Sequence, residues 1–187
     1  AASFSKKLTN EPFYGFWHIM DTHAWYEPDE SLVEQLLADY NYSQDDLEPI
    51  LENLDERSYA HNYVGRWASE RDFEYGIGRI VARYDAAVRE ADRKIGELIA
   101  QLKENNQWHD TALIICSDHG ESLTEHDIYF DHHGLYDVSV HVPLVIRWPG
   151  ATSQRIEEFV QLHDLAPTIL DNAGGEIPPM DGQSLLP

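Results

Sequence analysis

The chain has 187 residues, 42% of them apolar and 11% aromatic, enough to bury a core of about one domain's size. Its 34 acidic against 13 basic side chains give a net charge of −21, a field that repels nucleic acid and anionic membranes. The longest apolar run, 112 to 116, falls far short of the ~20 residues that span a bilayer, and a single cysteine, Cys116, excludes an internal disulfide and a Cys-x-x-Cys metal knuckle.

The first ten residues, AASFSKKLTN, lack the apolar stretch of a signal peptide. The acidic balance fits an ordinary soluble protein, or a halophile's protein whose hydrated carboxylates keep it dissolved in concentrated salt. The second reading favours the cytoplasm of a salt-adapted organism.

In chain order, FYGFWHIM (13 to 20) is a short aromatic and β-branched run between Pro12 and Asp21, and it reads as a buried strand. Residues 29 to 75 are polar and helix-prone, with no sharper assignment. Ile80, Tyr84, Ala87, Ala91, Ile95, Leu98 and Leu102 recur at steps of three and four, predicting one long amphipathic helix that ends near Asn105-Asn106. TALIIC (111 to 116) follows as a continuous apolar strand, with Cys116 as a buried core thiol. HVPLVIRWPG (141 to 150) is a further strand closed by Pro-Gly, and HDLAPTILDNAGG predicts a helix capped by Asp164, with Pro167 in its first turn and Gly174-Gly175 at its end. Helices alternating with apolar strands argue for a parallel α/β sheet.

The segment SDHGESLTEHDIYFDHHGLYD (117 to 137) concentrates groups able to bind metals and move protons. If 111 to 116 is a parallel strand, Ser117-Asp118-His119-Gly120 stand just past its carboxyl end, where open α/β sheets place their ligands. Asp118 offers a hard oxygen, His119 a borderline nitrogen, and Gly120 lets the backbone turn without a Cβ clash. Two adjacent ligands do not complete a metal site. The bland alternative makes Asp118 a helix cap and His119 a solvated loop residue.

ALIICSDHGESLTEH, then HHGLYDVSVHVPLVIRWPG, then FVQLHDLAPTILDNAGGEIPPMDGQSLLP resembles the C-terminal half of the sulfatase catalytic domain, within the alkaline phosphatase superfamily. Upstream, FYGFWHIMDTHAWYEP resembles that family's strand into Asp-Pro-His-x-Pro-Tyr, and RYDAAVREADRKIGELIAQL resembles the helix before its metal strand. The resemblance implies a three-layer α/β/α sandwich with a mostly parallel sheet, here incomplete, with residues 1–187 forming one partial catalytic domain. The family's nucleophile, a cysteine or serine in Cys/Ser-x-Pro-x-Arg that becomes formylglycine, and its first paired aspartates are not matched in this chain. Cys116 precedes Ser-Asp-His rather than x-Pro-x-Arg, so it is not that nucleophile.

By the same resemblance, Asp118 and His119 are metal ligands for a divalent cation, calcium first, with manganese or zinc as alternatives. His23 is the histidine that meets the sulfate or the leaving-group oxygen, although Trp25 stands where proline is usual. His132, or its neighbour His133, stands where many relatives carry a lysine or arginine that clamps the sulfate. His126 matches a Gly-Glu-His step. His18, His61, His109, His141 and His163 carry no assigned chemistry.

These implications make the parent protein a sulfatase-type hydrolase of sulfate esters or N-sulfates, with a small-molecule or saccharide sulfate as substrate and neither nucleic acid nor membrane as partner. A phosphodiesterase or phosphonate monoester hydrolase of the same superfamily is the rival, because Asp-His also suits phosphoryl chemistry. A reading of another class is a non-catalytic acidic domain that binds a metal or a partner.

Overall fold

The computed structural model describes residues 12–24, 26–40, 42 and 76–186. These fall into two compact units, one within 1–149 and one within 150–187. Trp25, His61 and the segment 43–75 lie outside the described residues.

In the first unit, helix α1 (Glu30–Asp39) begins at Asp29, whose carboxylate accepts from Ser31 N at 2.8 Å and so satisfies one of the amides that a helix start leaves unpaired. The long helix α2 (Ile77–Glu104) is capped by Asn105, within the stretch its periodicity predicts. Val33 and Leu36 of α1 pack on Ala82 and Ala86 of α2, where small side chains let the two helices approach. Arg79 pairs with Glu30 at 3.1 Å and Glu34 at 2.7 Å, and the buried Arg83 also pairs with Glu30. A second core of Tyr26, Ile80, Ala87 and Phe130, flanked by Ala24, Leu123 and Tyr129, fixes Ala24, Tyr26 and the loop 121–131 to α2. The long helix is therefore the base on which the acidic, histidine-rich loop rests.

Strand β1 (Leu113–Cys116) follows α2, and β2 (Leu144–Arg147) pairs with it antiparallel, Leu113 opposite Arg147 and Cys116 opposite Leu144. The α/β class holds, but this pair is not parallel as expected. Parallel neighbours need a crossover that returns the chain to the starting end of the sheet. Between these strands lie only a 3-10 turn (Glu125–Asp127) and α3 (Asp137–Val140), a single α-helical turn, so β2 starts where β1 finishes. Residues 13–20, expected as a buried strand, carry no regular secondary structure, and Phe13, Tyr14, Phe16 and Met20 are exposed. A strand exists only through a neighbour that completes its hydrogen-bond ladder, and among the described residues none lies against this segment. Cys116 is likewise exposed rather than buried, being the last residue of a strand that is only partly covered. Partial desolvation and the Asp118 carboxylate push its thiol pKa up, the opposite of an activated nucleophile. No helix among the described residues is long and apolar enough to cross a membrane.

In the second unit, a 3-10 turn (Leu162–Asp164) runs into α4 (Leu165–Asn172), which closes with Gly174 at φ +68° and Gly175 N donating to Leu170 O at 2.8 Å. Asp164 stands at the start of α4 as expected, but its side chain does not cap that helix. It accepts from Gln161 N at 2.8 Å and Gln183 N at 2.9 Å, closing the preceding turn and tying the Asp-Gly-Gln-Ser-Leu segment back to it. Leu185 N donates to Thr168 Oγ1 at 2.9 Å, and a Cβ on Gly182 would sit 2.1 Å from His163 O.

The two backbone donors hold the Asp164 pKa below its usual value. Their stabilisation is fully present above the unfolded-state value of about 3.9 and is lost as pH falls through the lower folded value. Asp164→Asn should speed amide exchange at Gln161 and Gln183 at neutral pH, and that difference from the native protein should fade under acid. Equal exchange rates at neutral pH would show that the carboxylate does not tie these segments together.

Candidate active site

Ser117-Asp118-His119 stand past the carboxyl end of β1, as the sequence predicts. His119 Nδ1 lies 2.8 Å from Gly120 O. A carbonyl only accepts, so Nδ1 carries the proton, and Nε2 is left as the nitrogen able to bind a metal. Nε2 and Asp118 Oδ1 are 3.9 Å apart. One cation with ligands at about 2.1–2.4 Å spans that gap. The pair suits a divalent cation both in chemistry and in spacing. Among the described residues, no group of three or more His, Cys, Asp or Glu side chains is placed to hold one.

The chain then runs through Glu121 and Ser122 to Asp131 and His132. Ser122 and Asp131 form an antiparallel bridge, Ser122 N donating to Asp131 O at 2.9 Å and Asp131 N to Ser122 O at 3.2 Å. This bridge closes the loop and sets His132 beside His119, ring centroids 3.8 Å apart and stacked. His133 is further out, its ring 6.3 Å from that of His132, and its Nδ1 meets Asp131 Oδ1 at 2.7 Å. Asp131 also accepts from His132 N at 2.7 Å, so one buried carboxylate holds both neighbours.

Backbone strain is concentrated in this loop. His126, Asp127 and Phe130 have φ of 60°, 58° and 54°, a region that side chains with a Cβ seldom adopt. Such a conformation costs about 1–3 kcal/mol. Burying the Phe130 ring against Tyr26, Ile80 and Ala87 returns roughly 1.5–3 kcal/mol, enough to offset it. His126 stacks face to face on Tyr136, with centroids 3.8 Å apart, and faces neither His119 nor His132 in a ring contact.

His23 is not drawn into the His119–His132 stack. It follows a turn closed by His23 N donating to Met20 O at 3.1 Å, and its Nδ1 meets Ala24 O at 2.8 Å. It lines an open pocket of about 410 Å³ with Met20, Asp21, Glu27, Ala87 and Glu90. Asp21 pairs with Lys94 of α2, so it anchors the turn to the helix.

Sequence reasoning passed over Glu121 and Tyr26. The Glu121 side chain is only 6% exposed, accepts from the buried Tyr26 hydroxyl at 2.9 Å, and faces His132 Nδ1 at 3.4 Å. Burial pushes its carboxyl pKa up, while the Tyr26 hydrogen bond and His132 pull it back. The available signal was the glutamate that closes Ser-Asp-His-Gly-Glu.

A sulfatase family model matches residues 1–175. Arylsulfatase K of Canis lupus familiaris is 36% identical over 132 residues, which is 70% of this chain and 24% of that protein. The multifunctional alkaline phosphatase superfamily protein PehA of Trinickia caryophylli is 37% identical over 141 residues, 73% of this chain and 27% of that protein. Among solved structures, the phosphonate monoester hydrolase SpPMH from Silicibacter pomeroyi is similar with a TM-score of 0.60 and 34% identity, covering 73% of this chain and 26% of that one. BT4656 in complex with its substrate D-glucosamine-2-N,6-O-disulfate is similar with a TM-score of 0.50 and 26% identity, covering 66% and 26%. This chain thus spans about a quarter of the length of the relatives it matches. The family model covers both the β1 strand end with its Asp118-His119 pair and the loop that stacks His132 on His119, and the chain belongs to the sulfatase family.

Proposed function

We propose that the full-length protein is a metal-dependent sulfuric ester hydrolase that cleaves sulfate esters or N-sulfates, with a small-molecule or saccharide sulfate as substrate. The observation that carries this reading is the arrangement at His119, whose Nδ1–H is spent on Gly120 O while His132 stacks on its ring. Asp118 and His119 hold the cation, calcium in the first instance, and further ligands and a formylglycine nucleophile complete the site in the full-length enzyme. The cation, when bound, supplies charge neutralisation at the sulfate oxygens.

His132 bears charge that develops on the sulfate group as the S–O bond to the leaving group breaks. It is the better candidate than His133, because it lies against His119 and is the less exposed of the two. With its Nδ1–H held by Ala24 O, His23 in its imidazolium form supplies from Nε2 the proton that the departing oxygen needs. The likeness to a phosphonate monoester hydrolase of known structure favours a second reading, in which phosphonate monoesters are the substrate.

Assaying the full-length enzyme against an aryl sulfate, a glucosamine N-sulfate and an aryl phosphonate monoester separates the two. The sulfatase reading expects the highest kcat/KM on one of the sulfates. A phosphonate preferred by more than about tenfold, equivalent to 1.4 kcal/mol of transition-state binding, selects the second reading.

Adaptation to high salt belongs to the same proposal, since a net charge of −21 repels itself in dilute buffer. At ~0.1 M salt the screening length is still about 10 Å, so molar potassium chloride should raise the melting temperature. A flat or falling melting temperature would remove that part of the reading.

A further inference from the structure

The Ser122–Asp131 bridge has a consequence for the residues that flank it. In an antiparallel pair, the residue before one partner faces the residue after the other. That register puts Glu121 across from His132, and the side chains meet, Glu121 Oε1 lying 3.4 Å from His132 Nδ1. The other carboxylate oxygen, Oε2, accepts from the Tyr26 hydroxyl at 2.9 Å.

Tyr26 is itself held from several sides. It is 1% exposed, its ring meets Tyr84 edge-on at 5.2 Å, and its carbonyl accepts from Arg83 Nε at 3.0 Å. Arg83 is buried on α2. A continuous line of polar contacts, buried at the long helix and opening to solvent at His132, therefore runs through Tyr26 and Glu121 to the ring that stacks on His119. A buried carboxylate is expensive to keep, and a glutamine would satisfy the tyrosine hydroxyl equally well as an acceptor. What glutamine would not supply is a full negative charge on the Nδ1 side of the imidazole, which orients the ring and leaves Nε2 as its outward nitrogen.

We propose that Glu121, anchored by Tyr26, is a positioning residue that holds His132 for its contact with the sulfate group. This rests on the proposed sulfatase-type reading and on His132 as its substrate contact. Glu121 touches no reacting atom, and it acts only through His132.

The test is a double-mutant cycle on the full-length enzyme with an aryl sulfate, combining Glu121→Gln with His132→Ala and following kcat, KM and the thermal melt. Glu121→Gln alone should lower kcat/KM by roughly 10–100-fold, the range found for groups that orient a functional histidine, mostly through kcat and with the melt nearly unchanged. In the His132→Ala background it should cost less than about twofold, because the group it positions is gone. Tyr26→Phe keeps the buried ring, removes only the hydroxyl, and should follow the same non-additive pattern with a smaller loss, so it answers the question if Glu121→Gln does not fold. A wild-type rate in both Glu121→Gln and Tyr26→Phe, or a loss that multiplies fully with that of His132→Ala, would overturn the proposal while leaving the site intact. If His132→Ala itself turns over at the wild-type rate, the assignment of His132 falls, and the positioning role falls with it.

Discussion

Replacing His119 with alanine in the full-length enzyme should lower kcat/KM on its preferred substrate by roughly 10²–10³-fold or more, comparable to losing a principal stabiliser of transition-state charge. Two independent features of the structure produce this expectation. The Gly120 carbonyl accepts the hydrogen bond of the Nδ1–H, so that His119 presents a lone pair at Nε2 rather than a second N–H. Its ring is also the surface on which His132 stacks, so on the proposed reading alanine removes a metal ligand and the support of a substrate contact together. Asp118→Asn should impair turnover through the cation alone, because its carboxylate makes no contact with His132 among the described hydrogen bonds and ion pairs. Divalent-cation titration of both variants by calorimetry should show weakened binding. Full cation affinity and full turnover in His119→Ala would mean that the metal is held elsewhere.

Gly120→Ala should be nearly as damaging without removing any functional group. A Cβ there would lie 2.0 Å from Val138 O and 3.0 Å from Val138 C. Both are backbone atoms, so no rotamer change relieves the clash, and either α3 or the 118–121 segment must move. The displacement would break the bond from Gly120 N to Ser139 O, now 2.8 Å, and shift the carbonyl that fixes His119. Overpacking of this kind costs roughly 1–3 kcal/mol and more when the obstacle is rigid. A misplacement of about 1 Å at a reacting centre can cost ~10²-fold in rate. Gly96→Ala is the matched control, since a Cβ at that position on α2 meets nothing within 4 Å and should stabilise the helix by roughly 0.8–1.0 kcal/mol. A melt and a kcat/KM unchanged by Gly120→Ala would show that the loop yields more easily than its contacts indicate.

What could be read ahead of the structure follows from how local each feature is. The long helix was legible because its apolar residues repeat on one face over many turns, and α2 is capped by Asn105 within the predicted stretch. The β1 strand and the Asp118-His119 pair at its end were legible because a continuous apolar run stops at a polar cluster. The sense of strand pairing was not, since it depends on the length of the connection and on which end of the sheet the chain re-enters. Residues 13–20 were misjudged for a related reason, as an apolar pattern records a preference for burial and not the presence of a partner. Asp164 was assigned the right place and the wrong bonds, because the amide of Gln183, far along the chain, competes for its carboxylate. Glu121 escaped notice because it meets His132 only through the register of the Ser122–Asp131 bridge, and no single-chain periodicity encodes that register. The roles of His119 and of His132 or His133 came from resemblance, and the bridge that sets His132 rather than His133 against His119 is visible only in three dimensions.

The central claim is that Asp118 and His119 share one cation with His132 facing it, and the most direct measurement is a crystal structure of the full-length protein containing a divalent metal. The account predicts the cation at about 2.0–2.6 Å from an Asp118 carboxylate oxygen and from His119 Nε2, with the His119 Nδ1 bond to Gly120 O retained. A cation bound away from both residues, or His119 turned so that Nε2 no longer faces Asp118, would contradict it.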